Sequence, residues 1–492
     1  MKKTRLLVLV CSVIVAVVCR QAVAGFPELI EERRAVGFVK AVQAGDAQAL
    51  LAYMHENWIP AQEGSDRQRR WPRITRMLTK RHAGLEIVGV EAEEPHRLTV
   101  VTRDPGGTTL RFIFDFEAAD PFRIAGMSVE AGEQGRLRGG PELPPFELPE
   151  GAGEKAIVTA IGRWFEALSQ RDLFSGTALV AWRGRPIFTG AWGLASREWN
   201  VPNRIDTRFN LGSINKSFTK IAIMQLALQG KLTLDDTIID HLPGYPNGEV
   251  ARKVTIRHLL GHTSGLGDIF NDVFFRSSKA LYRDPRDFFP LFANEPLRFE
   301  PGERFEYSNA GYMVLGAIIE EVSGEPYDRY VVRHIFEQAG MKDSGFFAKD
   351  EPAPNIAVGY TSRGPGGEEG ELRNNLFHLP IRGNSAGSAQ STVEDLLAFD
   401  TALREHTLLP FAYTEWYFGG EEPQPGSATE TTAERASFGT AIAGGAPGVS
   451  AVLESDGDLA VITLSNYDPP ITEAIARQLY RPLKRALSEV ND

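Results

Sequence analysis

Cysteine is almost absent from this chain of 492 residues, which contains only Cys11 and Cys19. Both belong to an N-terminal segment that we predict to be cleaved off, so the processed chain would contain no cysteine. This absence excludes disulfide bonds and a cysteine nucleophile from the processed protein. It also excludes metal sites that depend on thiolate ligands.

An excess of positive charge is also missing. The chain has 53 Lys and Arg residues against 64 Asp and Glu residues, and its formal net charge is −11. Because nucleic acids and anionic membranes repel a chain of this charge, we expect neither as its main partner. The 9 histidines are scattered without the spacing of metal ligands, so we predict no metal site.

The N-terminal apolar run, Leu6–Val18, is too short to cross a membrane comfortably. It follows the basic start MKKTR and precedes the tripeptide AVA, which fits the small-x-small cleavage rule. Residues 1–24 therefore predict a signal peptide, export across the inner membrane, and a periplasmic protein that begins at Gly25 and has no stable membrane span. A retained anchor and lipidation at Cys19 are the alternatives.

Residues 25–138 predict a small α+β domain. Apolar residues recur at helical spacing over Ile30–Trp58, and the stretch Leu85–Val129 alternates as strands do. Helices followed by a strand meander are similar to the cone-shaped domains related to nuclear transport factor 2, a resemblance of pattern rather than of motif. Residues 139–153 are rich in proline and glycine, which favours a semi-extended linker.

Residues 154–492 predict a second domain of mixed α/β class. A helix over Glu154–Gln170 leads into a hairpin, and a second hairpin turns at Asp456-Gly457 before a closing helix over Ile471–Glu489. Strand pairs at both ends, with many helices between them, predict one sheet assembled from the two ends of the domain.

The segment FNLGSINKSFTK contains a nucleophile candidate. Ser213 lies where a strand-like piece meets a helical pattern, and Lys216 follows it by three residues, so both side chains share one helix face. An amine in that place can take the hydroxyl proton, and the helix N terminus supplies backbone donors for an oxyanion. The pattern is weak alone, because Ser217-x-x-Lys220 also fits it and a capping serine beside a solvated lysine would look the same.

The segment FEYSNAGYMVLGAIIEEVSG contains Tyr307 and Asn309 just before a helical pattern. A tyrosine hydroxyl can carry a proton between a nucleophile and a leaving group if neighbouring cations lower its pKa. Asn309 can donate and accept hydrogen bonds, which would fix a carbonyl and a lysine. Taken alone, a core tyrosine and a helix-capping asparagine explain the segment better.

Together these segments resemble the serine β-lactamases and penicillin-binding proteins, in particular the class C-like serine hydrolases. Ser213-x-x-Lys216, Tyr307-x-Asn309 and a glycine-rich strand near the C terminus occur in the order of that family. The stretches VTIRHLLGHTSGL, HIFEQAGMKDSGF and NSAGSAQSTVEDLLAFDTAL match it in the same order, over about Glu154–Leu487. The resemblance implies an antiparallel sheet flanked by helices, with a helical subdomain.

The resemblance also implies roles for single residues. Ser213 would be acylated, and Lys216 would be its general base or would support that base. Tyr307 would share proton transfer and protonate the leaving group, while Asn309 would position the lysine and the substrate carbonyl. The backbone N–H groups of Ser213 and Gly445 would form the oxyanion hole, and no cofactor would be needed.

The third motif departs from the family. The family places Lys-Thr-Gly or His-x-Gly on the strand that lines the site, whereas TAIAGGAPGVSAV puts Ile442 at the cation position and Gly444 at the end of the triplet. Without that cation we expect Tyr307 to be a weaker base and Lys216 to stay protonated to higher pH. We also expect poor activity on carboxylate-bearing penicillins or D-Ala-D-Ala peptides, and a preference for uncharged esters or amides.

These features predict a hydrolase that cleaves an ester, a D-amino-acid peptide or amide, or a β-lactam, so that its partner is a small-molecule or peptide-like substrate. The alternative is a weakened or inactive member that binds cell-wall peptides, because the third motif has lost its cation. His262 resembles a structural turn residue. The sequence leaves the natural substrate, the role of the N-terminal domain and the oligomeric state open.

Overall fold

The computed structural model describes residues 30–60, parts of 71–84, 85–94, 96–103, 109–117, 121–131, 143–149, 151–364, 369–420, 422–423 and 439–491. The predicted signal peptide, residues 1–24, lies outside these ranges, as do residues 139–142 of the predicted linker. The chain divides into two compact units, with the boundary between Arg136 and Leu137. None of the helices in the described ranges has the length and apolar character that a membrane crossing requires.

The first unit packs helices against a four-stranded antiparallel meander. Helix α1 (Ile30–Gln43) and helix α2 (Ala47–Asn57) replace the single predicted helical stretch, because Gly45 has a φ of +74° and ends the first helix. The Asp46 carboxylate caps α2 by accepting backbone N–H groups of its first turn. The strands pair in chain order and are β1 Glu86–Glu94, β2 Arg97–Arg103, β3 Thr109–Phe116 and β4 Ile124–Ala131.

This meander buries one face. Along β3 the even-numbered residues are buried and the odd-numbered residues are partly exposed. Phe114 of β3 meets Phe38 of α1, with ring centroids 5.5 Å apart. A sheet with one covered face needs apolar side chains only at alternate positions, which is why this part of the sequence alternates. The likeness to domains related to nuclear transport factor 2 stays a prediction.

The second unit is built on a five-stranded antiparallel sheet. Its strands are β5 Gly176–Trp182, β6 Arg185–Trp192, β13 Thr440–Ala446, β14 Val449–Ser455 and β15 Leu459–Ser465. Their order in the sheet is β13-β14-β15-β5-β6. The pair β15 and β5 joins the two ends of the unit, since Ser465 lies opposite Gly176 and Leu459 opposite Trp182. The prediction of one sheet assembled from both ends of the domain is therefore confirmed.

Helices and short strands occupy the chain around this sheet. The helices are α3 Glu154–Gln170, α4 Asn215–Leu228, α5 Ile238–His241, α6 Gly248–Lys253, α7 Ile256–Leu260, α8 Asp272–Arg276, α9 Asn309–Ser323, α10 Tyr327–Val331, α11 Glu337–Ala339, α12 Val393–Arg404, α13 Phe411–Tyr417 and α14 Ile471–Asn491. Short 3₁₀ segments cover Gly212–Ile214, Lys279–Leu281 and Pro285–Leu291, and a π-helical segment covers Val332–Phe336. The short strands are β7 Leu194–Ser196, β8 Val201–Pro202, β9 Phe209–Asn210, β10 Tyr360–Arg363, β11 Glu369–Asn374 and β12 Gln390–Ser391.

Both faces of the five-stranded sheet are covered. Val180 of β5 packs in a cluster with residues of α3 and α14, while its neighbour Leu179 packs in the larger cluster that contains α4 and α9. Strands β5 and β15 are buried along their whole length for this reason. The larger cluster holds α4 in place, and the first turn of α4 positions the candidate nucleophile.

The second half of the predicted linker belongs to the second unit. Residues 143–149 have no regular secondary structure. Phe146 is nevertheless buried, with its ring centroid 5.6 Å from that of Trp164, and the Trp164 indole N–H donates to the Pro144 carbonyl at 3.0 Å. Its apolar residues therefore fix this stretch against α3, although its proline and glycine content predicted a semi-extended linker.

Candidate active site

Ser213 lies in a tight turn between β9 and α4. The Asn210 side-chain oxygen accepts the Gly212 backbone N–H at 2.8 Å, and the Ser388 N–H donates to the Gly212 carbonyl at 3.1 Å. Gly212 has a φ of +50°, in the left-handed region that favours glycine. These constraints fix the Ser213 hydroxyl at the N-terminal end of the helix, where backbone N–H groups lack helical partners.

The Lys216 amine is enclosed and makes three polar contacts. The residue is 8% exposed. Its Nζ lies 3.2 Å from Ser213 Oγ, 2.8 Å from Asn309 Oδ1 and 2.5 Å from the Ala386 carbonyl oxygen. A neutral amine has two N–H donors and one lone pair. Because the amide and carbonyl oxygens can only accept, they take both donors and leave the lone pair for the Ser213 hydroxyl.

Burial lowers the pKa of Lys216 to about 7, while the negative charge of Asp268 acts in the opposite direction. The amine is therefore available as a neutral base near neutral pH, although Ile442 supplies no neighbouring cation. The expectation that Lys216 stays protonated to higher pH than it would beside a third-motif cation stays a prediction. Desolvation alone lowers its pKa to about 7.

Asn309 connects the lysine to a carboxylate. It is the first residue of α9, which Ser308 caps through its side-chain oxygen. The Asn309 Nδ2 donates to both carboxylate oxygens of Asp268, at 3.2 and 3.0 Å, and this turns its Oδ1 towards Lys216. Asn309 was predicted from the sequence, whereas Asp268 was not. An acidic residue inside the glycine-rich stretch GLGD was the signal available.

Tyr307 brings its hydroxyl to Ser213 from the segment before α9. The hydroxyl donates to Ser213 Oγ at 2.7 Å. Burial raises the pKa of Tyr307 to about 12; the hydrogen bond with Ser213 lowers it, and Asp268 raises it. The residue as a whole is 45% exposed, yet enclosure of the hydroxyl end is the main cause of the shift. Tyr307 therefore keeps its proton at neutral pH.

His262 supports Tyr307. The two rings stack with centroids 4.6 Å apart and an angle of 25° between their planes. The His262 Nδ1 accepts the Ser308 backbone N–H at 3.2 Å, and its carbonyl accepts the Glu306 N–H at 2.8 Å. His262 thus holds the residues on both sides of Tyr307, as the interpretation of a structural turn residue predicts.

Strand β13 crosses the nucleophile turn at two glycines. A Cβ atom on Gly444 would lie 1.9 Å from the Leu211 carbonyl oxygen and 2.7 Å from the Ser213 nitrogen. A Cβ atom on Gly212 would lie 2.9 Å from the Gly445 nitrogen. The backbones of β13 and of the nucleophile turn are therefore in contact, and the amides of Ser213 and Gly445 both lie at this contact. Because β13 is an edge strand of its sheet in the described part of the chain, its outer N–H groups can face an oxyanion.

Ile442 stands in the strand position predicted for it but offers no charge. It pairs with Leu453 of β14 and packs, partly buried, against the larger hydrophobic cluster. It does not contribute to the lining of the cleft at Ser213, as far as the structure describes that lining. The loss of the third-motif cation is therefore a real feature of the site, and the Ile442 side chain packs against the hydrophobic core instead.

A cleft with a volume of about 320 Å³ opens at Ser213. None of the described residues that line it is Asp, Glu, Lys or Arg. The apolar part of the wall and one imidazole were not anticipated from the sequence. The residues concerned are Ile269, Phe270, Phe275, Leu379, Pro380 and His378.

The alternative pair Ser217 and Lys220 is not assembled for catalysis. Ser217 is 9% exposed, and the Lys220 amine donates to the Tyr417 carbonyl at 2.7 Å while lying over the Tyr417 ring. Neither residue is part of the described lining of the cleft. The structure thus brings together the predicted Ser213, Lys216, Tyr307, Asn309, Gly444 and Gly445, and it leaves Ser217 apart.

Comparison with known proteins gives a consistent result. Residues 158–484 match the family model described as Beta-lactamase. A penicillin-binding protein of Bacillus subtilis (strain 168) is 33% identical over 267 residues, which are 52% of this chain and 57% of that protein. The esterase EstB of Burkholderia gladioli is 36% identical over 197 residues, or 38% of this chain and 50% of that protein. The chain therefore spans about half the length of these curated relatives.

Among solved structures, the penicillin-binding protein from Bacillus halodurans has 33% sequence identity and a TM-score of 0.55. The match covers 64% of this chain and 99% of that one. The matched region of the family model is confined to the second unit, since it begins at residue 158.

Proposed function

The chain belongs to the Beta-lactamase family, and from the geometry of its site we propose that it is an exported serine hydrolase that cleaves neutral esters or amides. The observation that carries the proposal is the Lys216 amine. Asn309 and Ala386 each accept an N–H group of this amine, and Ser213 Oγ is its third neighbour. Once the amine is neutral, its lone pair is therefore left for the Ser213 hydroxyl. A lysine with a pKa of about 7 in this position is suited to act as a general base.

The proposed reaction has two stages. In acylation, Lys216 takes the hydroxyl proton while Ser213 Oγ bonds to the substrate carbonyl carbon, and the amides of Ser213 and Gly445 stabilise the oxyanion. Tyr307 then protonates the leaving oxygen or nitrogen, and the proton on Lys216 restores the tyrosine. In deacylation, water attacks the Ser213 ester and gives its proton to Lys216, which returns it to Ser213 Oγ as the acid departs.

Neutral substrates are proposed because no group in the described lining of the cleft would pair with a charged substrate. Its described lining has neither a cation nor a carboxylate, and Ile442 stands where the family has a cation. A substrate carboxylate that lost its water in this cleft without an ionic partner would bind poorly. Uncharged esters, and amides with apolar substituents, carry no such penalty.

A fluorophosphonate probe tests the nucleophile. We expect stoichiometric labelling of the purified protein, complete loss of labelling in Ser213→Ala, and retained labelling in the matched variant Ser217→Ala. Labelling that survives in Ser213→Ala would contradict the assignment. Absence of labelling at every pH between about 6 and 10, a range that includes the neutral form of Lys216, would support the alternative of a non-catalytic binding protein.

A pair of chromogenic substrates tests the substrate class. We expect a neutral p-nitrophenyl ester to be hydrolysed with a kcat/KM at least about 100-fold above that of a carboxylate-bearing cephalosporin, because only the latter brings an unpaired charge into the cleft. Both reactions are followed by absorbance on the same enzyme. A preference for the cephalosporin would refute this part of the proposal.

Export is proposed from the pattern of residues 1–24. N-terminal sequencing of protein recovered from a periplasmic fraction should begin at Gly25. Recovery of the chain only with Met1 in place and in the membrane fraction would favour the retained anchor instead.

A further inference from the structure

Two exposed aromatic side chains stand in the wall of the cleft at Ser213. Phe270 and Phe275, which we call the aromatic pair, both line this cleft and are 40% and 39% exposed. Val273, which lies between them in the sequence, is 61% exposed. Single apolar residues on a surface are ordinary, but several together beside a ligand-binding cleft indicate a binding surface. The cleft at Ser213 therefore has accessible apolar surface next to the nucleophile.

The aromatic pair is held in place by the residue between its members. Phe274 is fully buried, and its ring centroid lies 5.2 Å from that of Phe270 and 5.5 Å from that of Phe275. The Asn271 side-chain oxygen accepts the Phe274 N–H at 3.0 Å, and the Lys279 amine donates to the Phe274 carbonyl at 2.6 Å. Because Phe274 is fixed, the two rings are preorganised and cost little to order when a ligand binds.

The surroundings of the aromatic pair fit an aliphatic chain. Ile269, Leu379 and Pro380 add apolar groups to the same lining, and none of its described residues is Asp, Glu, Lys or Arg. The Lys279 ammonium, a cation of the same segment, already donates to three nearby backbone carbonyls. An aliphatic chain placed here leaves water together with the rings, whereas a charged group would lose its hydration without gaining a partner.

We propose that the aromatic pair binds the aliphatic chain of the substrate's acyl group, so that the preferred substrates are esters of medium-chain fatty acids. The inference rests on the proposed function, because it takes the cleft at Ser213 as the substrate site, and it narrows the neutral substrate to one with an apolar acyl chain. The acyl side is assigned because the acyl group stays bonded to Ser213 between the two proposed stages, while the leaving group has to depart before water attacks. An apolar surface that held the leaving group would slow that departure.

Two p-nitrophenyl esters that differ in chain length test the proposal. The butanoate and the octanoate release the same chromophore and differ by four methylene groups, and both are used below the concentrations at which they aggregate. A fully buried methylene group raises kcat/KM about fourfold, and one covered on a single side raises it about twofold. We therefore expect kcat/KM of wild type for the octanoate to be about 15-fold above that for the butanoate.

Variants of the aromatic pair test whether this surface causes the preference. In Phe275→Ser we expect the octanoate-to-butanoate ratio of kcat/KM to fall to about 4, because half of the additional chain loses its apolar contact. Phe275→Leu, which keeps an apolar side chain, should retain a ratio above about 10. Phe270→Ser is an independent variant of the same surface and should also lower the ratio. The matched control is Leu281→Ser, because Leu281 is 62% exposed and lies outside the described lining of the cleft.

The side of the ester that carries the chain is tested with butyl acetate and octyl acetate, whose hydrolysis is followed by the release of acid. We expect their kcat/KM values to differ by less than about threefold, since their chains leave with the alcohol. A gain from octyl over butyl acetate that exceeds the gain from octanoate over butanoate would overturn the proposal.

The outcomes separate this inference from the function on which it rests. If wild type neither reacts with the fluorophosphonate nor hydrolyses either p-nitrophenyl ester, the proposed function fails and the inference fails with it. If wild type is labelled and hydrolyses the butanoate but does not prefer the octanoate, only the inference is overturned. The same holds if the ratio is unchanged in the serine variants of the aromatic pair, or if Leu281→Ser lowers it equally. Should Phe275→Ser not fold, Phe270→Ser decides between these outcomes.

Discussion

The two walls of the cleft differ in how completely their polar groups are satisfied. On the proton-transfer wall, the hydroxyl of Ser213 and the amine of Lys216 bond to fixed partners, and Asp268 fixes Asn309 in turn. The substrate wall is mostly apolar in the described part of the chain: Phe270, Phe275 and Leu379 line it, and the buried ring nitrogens of His378 have no hydrogen-bond partner there. The polar groups of the first wall are thus bonded before substrate arrives, whereas the second wall offers mainly apolar surface.

This difference separates rate from selectivity. A group that is already bonded in the free enzyme costs little reorganisation during the reaction, so the proton-transfer wall can act on any carbonyl that reaches Ser213. A wall without charged groups favours substrates that bring no charge into the cleft, so the substrate wall affects which carbonyl reaches Ser213. Changes in the first wall should therefore lower kcat for every substrate, and changes in the second should alter the ranking of substrates.

Replacing the general base gives the largest expected effect. Lys216→Met keeps the length of the side chain but removes the lone pair that faces Ser213, and we expect kcat for a neutral p-nitrophenyl ester to fall about 10³-fold. Lys220→Met is the matched control one helical turn further along α4, and it should stay within about threefold of wild type, because Lys220 bonds to Tyr417 and lies outside the described lining of the cleft. Equal losses in both variants would contradict the distinction between them.

Separating β13 from the nucleophile turn comes next. In Gly444→Ala the new Cβ would meet the Leu211 carbonyl oxygen at 1.9 Å, so the strand must move and carry the Gly445 amide away from the oxyanion. Loss of one oxyanion donor costs about 100-fold in kcat, and we expect a loss of that size for every ester. The adjacent and exposed Ala443→Ser should retain activity. Wild-type turnover in Gly444→Ala would mean that the Gly445 amide does not act in the reaction.

The carboxylate of Asp268 is expected to affect both rate and pH dependence. In wild type, kcat/KM should rise as Lys216 loses its proton, at a pH of about 7. Asp268 raises the pKa of Lys216, so Asp268→Asn should shift this acid limb to lower pH. It should also lower the plateau of kcat about tenfold, because Asn309 loses its charged partner. If the acid limb stays in place or moves to higher pH, Asp268 is excluded as the neighbour that raises the pKa of Lys216.

The smallest effect tests the third-motif position. Ile442→Lys restores a cation at the third-motif position and should raise kcat/KM for a carboxylate-bearing cephalosporin by about three- to tenfold relative to a neutral ester. The same cation should lower the pKa of Tyr307 and thereby move the alkaline limb of the pH–rate profile to lower pH. Ile442→Met, which adds no charge, is the control. If both variants change the ratio of substrates equally, packing rather than charge accounts for it.

The proton-transfer wall was accessible to prediction and much of the substrate wall was not. Ser213 and Lys216 are three residues apart on one helix, and Tyr307 and Asn309 lie in a short recognisable motif, so pattern and resemblance together named them. Ala386 acts through its backbone carbonyl, which is independent of side-chain identity. His378 lies in a loop-like stretch without periodicity, and only tertiary packing reveals that its ring nitrogens are shielded.

The same distinction applies to the fold: local sequence patterns were predictable, whereas packing between distant residues was not. The meander of the first unit and the hairpins of the second depend on local alternation of apolar residues and on turn residues, so they could be predicted. The break between α1 and α2 depends on one glycine, and the fixing of Phe146 against Trp164 depends on packing between distant residues. The lowered pKa of Lys216 could not be predicted, because its enclosure by Tyr307, Tyr312 and Ala386 brings together segments far apart in the chain.

The pairing of β5 with β15 has a consequence for how the protein folds during synthesis. The bond from the Ser465 hydroxyl to the Ser175 carbonyl spans 290 positions of sequence, and the strand carrying Gly445 reaches the sheet only through β14 and β15. During synthesis Ser213 is added to the chain well before Gly445, whose amide completes the oxyanion hole. A nascent chain that ends before Ser465 therefore contains Ser213 but lacks a complete oxyanion hole. Pairing of β5 with β15 is a long-range contact, which is expected to form late and slowly in folding.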